Sequence, residues 1–369
     1  MIEHEGTEEL DQNLAQGNEH QRHAGVAELF ATLFRARVVP HRGGIHLHCR
    51  EATGVAPVDP ARRTGSVARG HNVGVDQAAV DSLIALLDLE RIEVNIFRGN
   101  SPDEDRQRVY GGQVAGQALV AAARTVDCEK DDEGQFHVHS LHAYFLRGGD
   151  PTVPIVYEVD RIRDGRSYAT RRVQAIQHGR PIFHLSASFG LYEEGFDHQF
   201  PMPEGLPEPE SLPGFKERME PYRDLVGDWF DRPLPLDTRY CGPSPWERKA
   251  HLPPYQNIWL RANGKLPDDP VLHICILTYA SDMSLLDTTL QPHGESFAMG
   301  DVFMASLDHA MWFHRRFRSD EWLLYAQDTP SASHGRGLGR GLVYGRDGTL
   351  VASVMQEGVI RKMRPGGGS

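Results

Sequence analysis

At 369 residues the chain has room for two ordinary domains with real cores. Its formal net charge of −12 speaks against nonspecific binding to nucleic acid or to an anionic membrane, although it leaves room for a local basic pocket. The four cysteines, Cys49, Cys128, Cys241 and Cys275, are dispersed with no Cys-x-x-Cys pair, which fits a reducing compartment without structural disulfides or a thiolate zinc site.

No apolar run reaches transmembrane length, and the acidic N-terminus lacks the basic and then apolar order of a secretory signal. A cytoplasmic protein is therefore expected. Residues 1–78 hold no sustained period beyond one short amphipathic stretch at 24–39, so a disordered or loosely attached extension is expected there. Helical apolar spacing begins near Val80 and runs to residue 89. A strand is expected over 92–98. Residues 111–126, GGQVAGQALVAAARTV, are small and apolar on nearly every face, the mark of a helix buried all round. Strands follow at 137–146, 155–162, 167–177 and 181–191, with turns at Arg163-Asp164-Gly165-Arg166 and His178-Gly179. These elements define a first unit over 79–196.

Residues 201–254 hold twelve of the 24 prolines. Proline resists both helix and central strand, so 197–254 reads as a connector with one helix around 214–228. A second unit over 255–363 repeats the earlier order. It has a strand from 256, a helix over 281–290 and strands at 302–314, 321–328, 335–344 and 349–361, before a flexible tail at 364–369. Tyr110-Gly111-Gly112-Gln113 is echoed by Tyr279-Ala280-Ser281-Asp282, and His178-Gly179-Arg180 by Asp347-Gly348-Thr349, both at an offset of 169 residues. A fixed period reports a duplicated unit. The same offset sets Asp282 against Gln113 and Gln356 against Ala187, so the polar chemistry is expected on the second copy.

Asp282 is expected to precede a helix. A carboxylate there has two readings: a capping acid, or a base beside free N–H groups able to hold an oxyanion. Ser306 falls on a strand and lies outside any Gly-x-Ser-x-Gly turn; the nearest lookalike, Gly294-Glu295-Ser296-Phe297-Ala298, lacks the last glycine. His309 is three residues on, and strand alternation is expected to turn it away from Ser306. Gln356 interrupts an apolar strand, and its amide can donate and accept at once. The 19 histidines form His-x-His pairs but no His-Glu-x-x-His or Cys/His set, so no metal is expected. Gly335-Arg-Gly-Leu-Gly-Arg-Gly has the wrong spacing for a nucleotide loop and reads as a flexible or bulged strand.

The combination resembles the acyl-CoA thioesterase II family of double-hotdog proteins from about Leu83 to Met363. The resemblance rests on Val109-Tyr-Gly-Gly-Gln-Val-Ala-Gly-Gln, His139-Ser-Leu-His-Ala-Tyr-Phe-Leu-Arg-Gly-Gly-Asp and Trp259-Leu-Arg-Ala-Asn-Gly. It also rests on Tyr279-Ala-Ser-Asp, Leu290-Gln-Pro-His-Gly, Leu307-Asp-His-Ala-Met-Trp-Phe-His and Val354-Met-Gln-Glu-Gly. It implies an α+β fold of two tandem hotdog units, antiparallel sheets wrapped around central helices. It also implies an acyl-CoA hydrolase whose catalytic trio falls on Asp282, Ser306 and Gln356, with no metal or redox cofactor. Serine stands where many bacterial members carry threonine. The expected substrate is acyl-CoA, the expected assembly a homo-oligomer, without nucleic acid or membrane insertion. A hotdog hydratase or dehydratase, and a nonenzymatic acyl-CoA-binding protein, are the alternatives.

Overall fold

The computed structural model describes residues 76–102, 107–126, 136–299 and 302–363. The expected helix at 24–39, most of the expected extension and the tail lie outside them. Gln77 and Ala78, which fall within the expected extension, open the first helix. Helix α1 spans Gln77–Leu87, and Asp76 caps it by accepting from the Ala79 N–H at 3.2 Å. The expected strand over 92–98 is a hairpin, β1 (Glu90–Glu93) and β2 (Ile96–Gly99). Helix α2 (Gly111–Ala123) is buried from Gly112 to Ala123, as its composition demands. Strands β3 (His137–Phe145), β4 (Ile155–Asp164), β5 (Tyr168–Gln177) and β6 (Arg180–Gly190) follow. The β5–β6 turn places His178 (φ 49°) and Gly179 (φ 68°) in the left-handed region, as a two-residue hairpin loop requires.

The connector makes short helical turns at Phe215–Met219 and Arg223–Val226 and then an edge strand, β7 (Leu236–Tyr240). That strand occupies the proline-free gap between Pro235 and Pro243, which the proline-rich composition had hidden. The second unit contributes β8 (Tyr255–Ala262), helix α3 (Pro270–Ser281), a 3-10 helix over Leu286–His293, and strands β9 (Val302–Ser306) and β10 (Asp308–Phe313). Strands β11 (Leu323–Ser333), β12 (Arg336–Gly345) and β13 (Leu350–Lys362) complete it. Among the described residues no helix is long and apolar enough to cross a membrane.

The second helix is where expectation and structure part. The sequence placed it over 281–290, but α3 ends at Ser281 and only a 3-10 helix follows. That 3-10 helix packs against β8, β11, β12 and β13, so it is the element the second half-sheet wraps. Asp287 on it is buried against Arg248, and Pro292 lies within it. Helix α3 is an additional helix lying along α2. Its start carries a clear signal: Asp269 caps it by accepting from the Val271 and Leu272 N–H groups, and Pro270 occupies the first turn.

All strands join in one antiparallel sheet, ordered β1-β2-β4-β5-β6-β3-β10-β13-β12-β11-β8-β7, with β9 also on β13. The fold is a double hotdog, its halves meeting through β3 and β10. The duplication survives in the register. Ala175 faces Phe183 just before an irregularity in β5–β6, and Val343 faces Ala352 just before one in β12–β13. Likewise Val138 faces Phe189 where Ser306 faces Gly358. Ser306 thus matches Val138, and Gln356 matches Ala187.

The glycine-rich run forms β12, with Gly335 in the turn before it, and its pairing with β11 is irregular at Gly339, between Leu338 and Arg340. Its glycines let other groups close on the sheet. A Cβ on Gly341 would lie 2.1 Å from the Tyr325 ring, and one on Gly339 would lie 2.9 Å from the Leu285 carbonyl oxygen. Gly341→Ala is expected to cost about 1–3 kcal/mol through overpacking. An unchanged urea midpoint in that variant would mean the Tyr325 ring has room to move.

Candidate active site at the junction of the two units

The three expected residues converge although 74 positions separate the outermost two. Asp282 is the residue capping the C-terminal end of α3, Ser306 closes β9, and Gln356 lies on β13 opposite Gly339. The Ser306 hydroxyl donates to Asp282 Oδ1 at 3.1 Å. Gln356 Nε2 donates to the same oxygen at 2.5 Å and to Ser306 Oγ at 2.7 Å. This orientation of the Gln356 amide is dictated by the carboxylate, since the flipped form would set oxygen against oxygen. Gln356 Oε1 is buried and has no hydrogen-bond partner among the described residues.

Asp282 does not open a helix, contrary to expectation. The helix N-terminus beside it belongs to the other unit. The Gly112 N–H in the first turn of α2 donates to the Asp282 carboxylate, and a Cβ on Gly111 would lie 2.7 Å from Asp282 Oδ2. Close packing of α2 on α3 makes this possible. A Cβ on Gly112 would fall 2.3 Å from the Tyr279 carbonyl oxygen, and the Tyr110 hydroxyl donates to that oxygen at 2.8 Å. Burial pushes the Asp282 carboxyl up to about 6, against the lowering pull of the Gln356, Ser306 and Gly112 donors. A carboxyl at that value can accept a proton near neutral pH and still be ionised there.

The orientation expected of His309 is also overturned. The strand breaks at Leu307, between β9 and β10, so Ser306 and His309 both reach inward toward the end of α3. His309 Nε2 lies 2.8 Å from Ser281 Oγ, and burial holds its pKa down at about 4, so the ring is neutral. Its bond to Ser281 leaves the Ser306 hydroxyl on Asp282. Tyr325, which the sequence reading passed over, donates to the Ser281 carbonyl oxygen at 3.2 Å and fixes the end of α3. No three His, Cys, Asp or Glu side chains among the described residues form a metal-holding group.

Known proteins share this arrangement of chain. Residues 241–359 match the family model described as acyl-CoA thioesterase, and residues 101–190 match the one described as acyl-CoA thioesterase N-terminal domain. Acyl-coenzyme A thioesterase 8 of Homo sapiens is 40% identical over 288 residues, 75% of this chain and 88% of that protein. The chain belongs to the acyl-CoA thioesterase family. Acyl-CoA thioesterase 2 of Haemophilus influenzae is 37% identical to this thioesterase over 292 residues, 76% of the chain and 98% of its own. The crystal structure of acyl-CoA thioesterase II TesB2 from Mycobacterium marinum is 46% identical, with a TM-score of 0.61 over 75% of this chain and 97% of that one. A hot dog protein from Alicyclobacillus acidocaldarius, 18% identical with a TM-score of 0.59 over 77% of this chain and 99% of that one, shares the fold.

Proposed function

We propose that this thioesterase hydrolyses fatty acyl-CoA to a free fatty acid and coenzyme A by direct attack of water at the trio of Asp282, Ser306 and Gln356. The observation that carries the reading is the half-buried carboxyl of Asp282, raised to about 6, with two side-chain donors and a helix N-terminus around it. Ionised Asp282 takes a proton from water held by Ser306 and by the Gln356 Oε1 acceptor. The hydroxide so formed attacks the thioester carbonyl carbon. N–H groups of the first turn of α2 hold the developing oxyanion. The tetrahedral intermediate expels the coenzyme A sulfur, which leaves with the proton from Asp282. We place the reaction in the cytoplasm, on the dispersed cysteines, and in a homo-oligomer.

The reading is tested by following free thiol across saturated acyl-CoAs of increasing length. Thiol release is expected, with kcat/KM falling about tenfold for each pH step below about 6 as Asp282 protonates. No thiol release from any of them would remove the reading.

Ser306 serves the carboxylate and the water and does not attack. A serine nucleophile needs a base within hydrogen-bond reach; Asp282, 3.1 Å from the hydroxyl, is such a base, and this reading assigns it to the water, while His309 is bonded to Ser281. Ser306→Thr is expected to keep most activity, and Ser306→Ala to lose roughly 10-fold or more, the worth of a hydrogen bond to a charged group. Rapid quench should show no burst of coenzyme A. A stoichiometric burst with the acyl group recovered on Ser306 would overturn the water mechanism.

A further inference from the structure

A cleft of about 680 Å³ lies at the end of α3 away from Asp282 and is lined by Val138, Phe313 and Arg315 among others. It is separate from the trio. Pro270 lines it while Ser281 adjoins Asp282, and the intervening turns of α3 span roughly 16 Å at the usual helical rise. Strand β3 gives a similar measure: Val138 lies in the cleft, and Phe145 packs where a Cβ on Gly111 would meet it, beside Asp282.

The duplication identifies this cleft. Val138 is the counterpart of Ser306 by register. Arg315 Nη1 donates to the Leu350 carbonyl oxygen at 2.9 Å, as Arg147 Nη1 does to that of Pro181 at 2.6 Å, so Arg315 is the counterpart of Arg147. Phe313 then matches Phe145, the residue beside the trio. The cleft therefore lies at the first unit's counterpart of the position that Ser306 and Phe145 hold beside the trio.

Its chemistry has changed in two ways. Val138 stands where the trio has Ser306, Ala187 where it has Gln356 and, by the sequence offset, Gln113 where it has Asp282, so the trio's hydroxyl and carboxylate base have no counterpart. Meanwhile Arg316 and Arg318 stand where the catalytic side has Gly148 and Asp150. Arg316 lies over the Tyr192 ring, 5.0 Å from its centroid, and Tyr168 lines the cleft nearby. Buried His273 adds a polar atom, Nε2, with no hydrogen-bond partner among the described residues. The acids on the rim are Glu193, Asp268 and Glu321, and Asp268 is bonded to Arg318.

We propose that this cleft is a second, noncatalytic site for the coenzyme A moiety, as acyl thioester or as free product. Arg315 is paired with Asp197 and Arg318 with Asp268 and Asp320; Arg316 is the guanidinium that meets phosphate, and the exposed Tyr168 ring meets the base, while the missing hydroxyl and amide leave the ligand intact. A volume within the ordinary range for small-molecule sites accommodates it.

The test uses the full chain and S-dodecyl-coenzyme A, a thioether that cannot be hydrolysed, with free coenzyme A as a second arm. Calorimetry is expected to give two equivalents of at least one probe per chain, and the arm that fills the second site names the source. Arg316→Glu combined with Tyr192→Ala, both away from the trio, should remove one equivalent and leave kcat/KM within about twofold. One equivalent per chain in the unaltered protein would overturn the proposal, as would two equivalents that both persist in the variant. A rise in KM in the variant would also overturn it, because the cleft would then hold the catalytic substrate. Stoichiometry is read without turnover, so an error in the assignment of the trio would not change this result.

Discussion

Asp282→Asn is expected to keep the fold and lose about 10²–10⁴-fold in turnover, the usual contribution of a general base. The substitution should also stabilise the protein at alkaline pH. Burial raises the Asp282 carboxyl from 3.8 to about 6, so the folded state holds this proton more tightly than the unfolded chain does. The resulting stability is complete below about 4 and is lost as pH rises through about 6. Above that, keeping the half-buried charge costs at most about 3 kcal/mol, less for its partial solvent screening. Asparagine carries no such charge. Circular-dichroism melts at pH 8 should therefore place the variant above the unaltered protein, with the gap closing toward pH 4. Near-normal turnover would remove Asp282 from the mechanism. A lower melting temperature at pH 8 would mean that the donors around the carboxylate outweigh its burial.

Gln356→Leu should have the second-largest effect, and its signature lies in the pH profile. Gln356 Nε2 is the first of the donors that hold Asp282 down against burial. Without it the carboxyl rises further, and the acid limb of kcat/KM moves from about 6 toward alkaline pH. Turnover at pH 7 should fall roughly 10²–10³-fold, as when a preorganised donor is removed from a catalytic site. Part of the loss should return by pH 9, where Asp282 is ionised again. A limb that stays in place while kcat falls would assign Gln356 to the water alone.

The sequence made some of this legible for clear physical reasons. Helix α2 is small and apolar on every face, and only burial between packed layers suits such a segment. Strands β4 and β5 of the meander alternate because one face meets the core. Helix α3 is hidden because its buried positions, polar His273, Thr278 and Ser281 among them, fall on every face and because the repeat of Tyr110-Gly-Gly-Gln draws the helix to 281–290, although Asp269-Pro270 marks its start. His309 was misplaced because alternation assumes an unbroken strand, and the break at Leu307 falls between it and Ser306. The trio rested on resemblance to a family; nothing in local spacing ties Asp282 to Gln356. The Gly112 N–H could not be read at all, because it depends on how two units pack across 170 residues of chain.

That cross-unit contact sets the order in which the protein acquires its chemistry. During synthesis the first half emerges with a helix N-terminus and no carboxylate, and the second half brings a carboxylate whose nearest backbone donor is elsewhere. Neither half alone holds the complete constellation. On the proposed mechanism hydrolysis waits for the halves to dock, so activity would report completed assembly, and a chain released before its second half has docked would stay silent toward acyl-CoA.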